Sequence, residues 1–114
     1  MNLNNNFLNH LKEYILATES EKYKELWDVI GILKNKSNQK FKFDLRPIKK
    51  VKEQFIGKEG SLDTKADKMV FETDTQWIIV DIEELHTSLK NKKEKIIYLN
   101  DILNNFEWNI IINK

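Results

Sequence analysis

A chain of 114 residues that is 40% apolar, with six phenylalanines, three tyrosines and three tryptophans, is too apolar to be disordered and long enough for one self-sufficient core. Such a core buries roughly two-thirds of the unfolded surface. The absence of cysteine excludes a disulfide framework, a thiolate metal site and a cysteine nucleophile, and the net charge of +1 gives no global pull toward nucleic acid or acidic membranes.

No apolar run approaches the ~20 residues of a membrane-spanning helix, and residues 1–6 lack the basic-then-apolar layout of a secretory signal. A cytoplasmic protein without membrane association is therefore expected. Of the 19 basic residues only Arg46 is an arginine. In so lysine-rich a sequence a single lysine says little, whereas one arginine, with its planar fork of donors, stands out.

Residues 3–17 place Phe7, Leu8, Leu11, Tyr14 and Ile15 on one stripe of a 3.6-residue period, which predicts a helix. The run Thr18, Glu19, Ser20, Glu21 matches a capping box and predicts a second helix over about 20–35, with Tyr23, Leu26, Trp27, Ile30 and Leu33 as its stripe. Gly31 inside it reads as a point of close packing against the first helix. Two amphipathic helices joined by a short linker predict an antiparallel hairpin.

From 40 to 46 the pattern alternates. Phe41, Phe43 and Leu45 face one way, and Lys42, Asp44 and Arg46 the other, as in a half-buried strand with one wet face. Pro47 ends the strand, and proline with lysine points to a sheet edge. Ile48, Val51, Phe55 and Ile56 predict a helix over about 48–56, stopped by Gly57; 57–65 reads as a loop. Residues 68–73 and 76–81 read as two strands turning at Asp74 and Thr75. The stretch 77–80 is apolar on both faces, as expected of a central strand covered above and below. Asp81 and Glu84 form a second capping box for a helix to about 91, whose buried stripe is Ile82, Leu85 and Leu89. A short strand at 96–99, a brief helix capped by Asn100, and a last strand over 108–112 inside the sheet complete the chain.

These elements predict an α+β fold in one domain, residues 1–114. An N-terminal helical hairpin (about 3–35) packs on a mixed sheet of four or five strands (within about 40–112), and a further helix covers the sheet.

Three constellations bear on function. Glu72 and Asp74 sit two residues apart on a strand, as a pair of carboxylates holding Mg²⁺ in a nuclease would, but the lysine such a site needs two residues on is Gln76. The bland reading is a turn flanked by acidic residues. Arg46, Lys49, Lys50, Lys52 and Lys58, interleaved with phenylalanines, could contact phosphate, although those phenylalanines fall on the buried side of the alternation. His10 and His86 lack a second ligand or nucleophile at catalytic spacing. Trp27 and Trp108 are the aromatics best suited to anchor a partner.

By elimination the chain reads as a non-catalytic interaction protein of the inhibitor, immunity or complex-subunit type, with no cofactor or metal. Its partner-binding candidates are Lys42, Asp44, Arg46, Lys49, Lys50, Lys58, Glu72, Asp74 and Glu83, where opposite charges segregate and could steer a partner. Nucleic-acid binding through 46–58 is the first alternative, and a metal-dependent nuclease around Glu72 and Asp74 the second. An unpaired edge at 41–45 leaves homodimerisation open.

Overall fold

The structure, a computed structural model, describes residues 5–36, 38–47, 54–56, 64–90, 96–98 and 106–114. Its elements in chain order are α1 (Asn5–Leu8), β1 (Leu11–Leu16), α2 (Glu19–Glu25), β2 (Val29–Leu33), β3 (Phe41–Pro47), β4 (Gln54–Ile56), β5 (Lys68–Glu72), β6 (Gln76–Asp81), α3 (Ile82–Lys90), β7 (Ile96–Tyr98) and β8 (Asn109–Asn113). Six strands form one mixed sheet in the order β1-β2-β3-β5-β6-β8, and β4 pairs with β7 apart from it. Only β3 and β5 run parallel within the six; each of the other neighbours is antiparallel.

The helical hairpin expected over 3–35 is absent. In its place stand two short helices and an antiparallel strand pair, β1 with β2. The Thr18 capping box is real: Glu21 N donates to Thr18 Oγ1 (3.1 Å) and Thr18 N donates to Glu21 Oε1 (3.0 Å). It starts a helix that Leu26 stops at once by entering the left-handed region at φ 62°. Beyond it Val29, Gly31 and Leu33 are buried and Ile30 and Ile32 half-buried, a strand alternation that β-branched side chains favour. Gly31 does mark close packing, but against β1. A Cβ there would lie 2.6 Å from the Glu13 carbonyl oxygen.

Two further expectations change. The segment 41–47 is an inner strand, hydrogen-bonded to β2 on one side and β5 on the other, so it offers no edge for dimerisation. Pro47 is its last residue, where a missing N–H does little harm. The last strand lies at an edge beside β6, not inside the sheet. Residues 54–56 are strand, not helix, while 48–53, 57–63 and the helix expected after Asn100 lie outside the described residues.

The β5–β6 hairpin forms as the alternation predicts. Its turn lacks Asn-Gly chemistry and uses Thr73, whose hydroxyl oxygen accepts from Gln76 N at 2.8 Å and from Thr75 N at 3.2 Å. One face of the hairpin (Met69, Phe71, Ile78, Val80) packs under α3 through Ile82, Leu85 and Leu89. The other face (Val70, Trp77, Ile79) packs with Phe41, Phe43 and Leu45 of β3, with Val29 and Leu33 of β2, and with Phe7 of α1. The sheet curls around this second core. Strands lie about 4.8 Å apart, so β3 and β8, with two strands between them, would sit roughly 14 Å apart if the sheet were flat. Yet the Phe41 and Trp108 rings meet edge to face at 5.9 Å.

Gly31→Ala is expected to lower stability by about 1–3 kcal/mol, because the backbone of β1 must move away from β2. Urea unfolding would read this as a lower midpoint at unchanged slope. A midpoint equal to wild type would mean that the close approach is dispensable.

Candidate partner-binding surface

Four of the charged residues singled out in the sequence, Asp44, Arg46, Lys42 and Glu72, are engaged with neighbours. Asp44 is 3% exposed, and its carboxylate takes a two-pronged contact from Arg46, Nε to Oδ1 at 2.8 Å and Nη2 to Oδ2 at 2.9 Å. Residues two apart on a strand share a face, so the alternation that makes 42, 44 and 46 polar also brings this pair together. Asp28, between α2 and β2, accepts Leu45 N at 2.8 Å. Burial pushes the Asp28 carboxyl above the ordinary range, the Leu45 N–H pulls it back, and the nearby Asp44 charge raises it again. Arg46 holds its proton more firmly than usual, first because of its hydrogen bond to Asp44 and against the opposing effect of burial. The single arginine is thus a structural clamp on β3, with its fork already occupied.

Lys42 and Glu72 are held in the same way. Lys42 Nζ lies 3.7 Å from Glu25 Oε1 and 5.3 Å from the centre of the Trp27 ring. Glu72 Oε2 accepts Lys114 Nζ at 2.7 Å, which ties the end of β5 to the residue after β8. Asp74 is exposed in the β5–β6 turn, and Glu83 is exposed in the first turn of α3. Among the described residues no three His, Asp or Glu side chains converge as a metal ion would require. Lys49, Lys50 and Lys58 lie outside the described residues.

Neither expected aromatic anchor is open. Trp27 is buried, and its Nε1 donates to Glu25 Oε1 at 3.1 Å. Trp108 lies under the Lys68 ammonium, 3.8 Å from its ring centre, while that ammonium also meets Phe41 at 4.7 Å and Asp81 Oδ1 at 2.8 Å.

The surface missed by sequence reasoning lies on β1 and α2. Tyr14 is 48% exposed, Ile15 67%, Leu16 50% and Tyr23 85%. Tyr14, Ile15 and Tyr23 stand in stripes that read as hairpin core. Beside them lies a depression of about 200 Å³ lined by Tyr14, Ile15, Ile30 and Gly31, with Glu13 and Lys40 at its rim. A larger open hollow of about 560 Å³ is bordered by Lys12, Lys34 and Lys36 with Asn35 and Asn38. β1 therefore has an apolar C-terminal half, and its N-terminal end lies beside a basic hollow. After its C-terminal end comes the first turn of α2, which carries Glu19 and Glu21. One signal for this arrangement was available: residues 12–16 pair a charged half with an apolar half and fit no single buried face.

Comparison with family models, curated proteins and solved structures returned no match. Among the described residues no helix is long and apolar enough to cross a membrane.

Asp28→Asn keeps an acceptor for Leu45 N and removes a partly buried charge. Because the folded-state pKa lies above its unfolded value, ionised Asp28 opposes folding above that pKa, and the penalty disappears as pH falls through it. The stability of Asp28→Asn relative to wild type should therefore be greater at pH 7 than near about pH 4. Asp28→Ala instead leaves the Leu45 N–H unpaired and should cost about 1–3 kcal/mol. Urea unfolding across that pH range checks both, and a pH-independent Asn difference would refute the raised carboxyl.

Proposed function

We propose that this chain is a non-catalytic interaction protein, of the inhibitor, immunity or complex-subunit type, that works by presenting its β1 edge and the adjoining α2 to a partner protein. The observation that carries the reading is the exposure of Tyr14, Ile15, Leu16 and Tyr23 on one strand and the helix that follows it. Large apolar side chains left in water in such a group mark contact surfaces, and tyrosine is among the residues that contribute most to binding. The charge pattern supports the same reading. Arg46, the first residue of the nucleic-acid alternative at 46–58, is held by Asp44. Glu72, which would lead a metal-dependent nuclease site, is held by Lys114. A cytoplasmic site of action belongs to the same proposal.

The test is affinity capture from lysate of the source cells with the tagged chain and with the double variant Ile15→Lys, Tyr23→Ser. The wild-type chain should retain one polypeptide in stoichiometric amount. The double variant, changed only at exposed positions, should retain at least roughly tenfold less while unfolding at the same temperature. Recovery of no stoichiometric protein at low or moderate salt would refute the proposal.

A further inference from the structure

We infer that β1 is a self-pairing edge: it adds antiparallel to β1 of a second copy of this chain, about a two-fold axis passing through Ile15. The inference rests on the reading of the β1 edge and α2 as a protein-contact surface and names the partner that β1 itself takes.

Backbone phase comes first. Among the described residues β1 has a neighbour in the six-stranded sheet on one side only, β2. Ala17 N donates to Asp28 O at 2.9 Å, one step beyond the Leu16–Val29 pair. Antiparallel partners alternate between hydrogen-bonded and non-hydrogen-bonded pairs. Glu13, Ile15 and Ala17 therefore turn their backbone groups toward β2, and Tyr14 and Leu16 turn theirs to the open edge. The N-terminal part of this edge is guarded, by Lys12 and by the irregularity in register between Leu11 and Glu13. A bulge and a lysine both discourage strand addition. Residues 14–16 carry no such guard.

Side chains then choose the register. A two-fold axis that relates antiparallel strands stands perpendicular to the sheet, so each residue keeps its face and pairs with one of the same parity. Centring on Tyr14 would set Lys12 against Leu16 and Glu13 against Ile15 of the second copy. Centring on Glu13 would oppose two like charges. Centring on Ile15 sets Ile15 against Ile15 and, twice, Tyr14 against Leu16, so every central pair is apolar. The hydrogen-bonded pairs are then Tyr14 with Leu16, the two residues whose backbone groups point outward.

Charge agrees. This register lays Lys12 opposite Thr18 of the second copy, next to its Glu19 and Glu21. Glu19 is almost fully exposed, with Lys22 Nζ 3.9 Å from its Oε1, while the Glu21 carboxylate accepts Thr18 N at 3.0 Å, so it is Glu19 that is open to a second cation. The lysines at 34 and 36 extend the basic end that Lys12 begins. Antiparallel addition brings that basic end to the acidic turn twice, whereas parallel addition would set lysine on lysine. The other edge, β8, offers a different outcome. Joining β1 to β8 of the next copy would be head-to-tail and would build a ring or an open filament instead of a two-fold dimer.

Sedimentation of the purified full chain at micromolar to high-micromolar concentration tests the inference. Wild type should approach twice 13.6 kDa as concentration rises. Ile15→Lys, which opposes two ammonium groups on the axis at an exposed position, should weaken association by roughly a hundredfold or more with unchanged circular dichroism. The native chain has no cysteine, so single-cysteine variants are unambiguous. Non-hydrogen-bonded antiparallel partners hold their Cα atoms about 4.5 Å apart, within disulfide reach. Ile15→Cys should thus cross-link to a covalent dimer under mild oxidation, and Glu13→Cys, displaced from the axis, should not. A strictly monomeric wild type would overturn the inference, as would a ladder of species larger than dimer or equal cross-linking of both cysteine variants. If the chain is monomeric yet captures a different protein that Ile15→Lys, Tyr23→Ser loses, self-pairing falls and the contact-surface reading stands. If no protein is captured but the dimer forms and Ile15→Cys cross-links, self-pairing stands and a heterologous partner is ruled out.

Discussion

The ammonium of Lys68 joins the core around Phe41 and Phe43 to the start of α3. It is buried at the first residue of β5, on the face that Val70 shares with the inner core. Taking a lysine out of water costs several kcal/mol unless partners replace its hydration. Here Asp81 supplies a charge at 2.8 Å, and the faces of Phe41 and Trp108 supply two aromatic quadrupoles. Each partner comes from a different part of the chain: β3, the last residue of β6, and the approach to β8. Asp81 is also the residue before α3, where its Oδ2 accepts Glu84 N at 3.3 Å. The Glu84 carboxylate in turn accepts Trp108 N at 2.9 Å and Glu107 N at 3.0 Å. One buried cation thereby fixes the curl of the sheet, the start of α3 and the entry to β8 in a single connected set of contacts.

That connected set explains which parts of the fold were legible in the sequence. The β5–β6 hairpin, the Asp81 cap and the stripe of α3 were readable because every local signal there agrees with the tertiary outcome. Trp77, Ile78, Ile79 and Val80 are apolar for both faces, and both faces are buried. In the first 35 residues the signals conflict. Leu26, Trp27, Ile30 and Leu33 fit a 3.6-residue period, but Val29, Gly31 and Leu33 fit a period of two equally well. Contact with β1 and β3 decides the matter in favour of strand. A capping box states where a helix begins and nothing about its length. The left-handed turn at Leu26, an unexpected residue for that conformation, leaves no trace in a propensity count. Lysine and Pro47 suggested an edge at 41–47 because pairing on both sides depends on β2 and β5, far away in sequence.

The candidate site was less legible, and for a different reason. Sequence reasoning counts charged residues as surface and apolar residues as core, and here both counts fail at the places that matter. Asp44 and Arg46 lie on the inner strand and neutralise one another, and Lys42 is drawn to Glu25. Tyr14, Ile15 and Leu16 lie on an edge strand where only Leu11 reaches the core. A lysine paired across strands looks the same in sequence as one in open water, and an edge strand looks the same as half of an amphipathic helix. Only the strand order separates them.

The exposed edge also has an energetic consequence that sets it apart from the rest of the molecule. Folding alone gains little from Ile15, since most of its surface stays in water. The stability of the fold rests on the hairpin buried on both faces, on the aromatic contacts among Phe7, Phe43 and Trp77, and on the Lys68 contacts, none of which uses the side chains of residues 14–16. Side chains retained in water at such a position are free, so far as folding is concerned, to be polar, and polar side chains would protect the edge better. Their apolar character therefore matches a contact made after folding, and substitutions there separate association from stability. By contrast, any change at Asp44, Arg46 or Lys68 strikes both at once, which disqualifies those residues as probes of binding however prominent their charges are in the sequence.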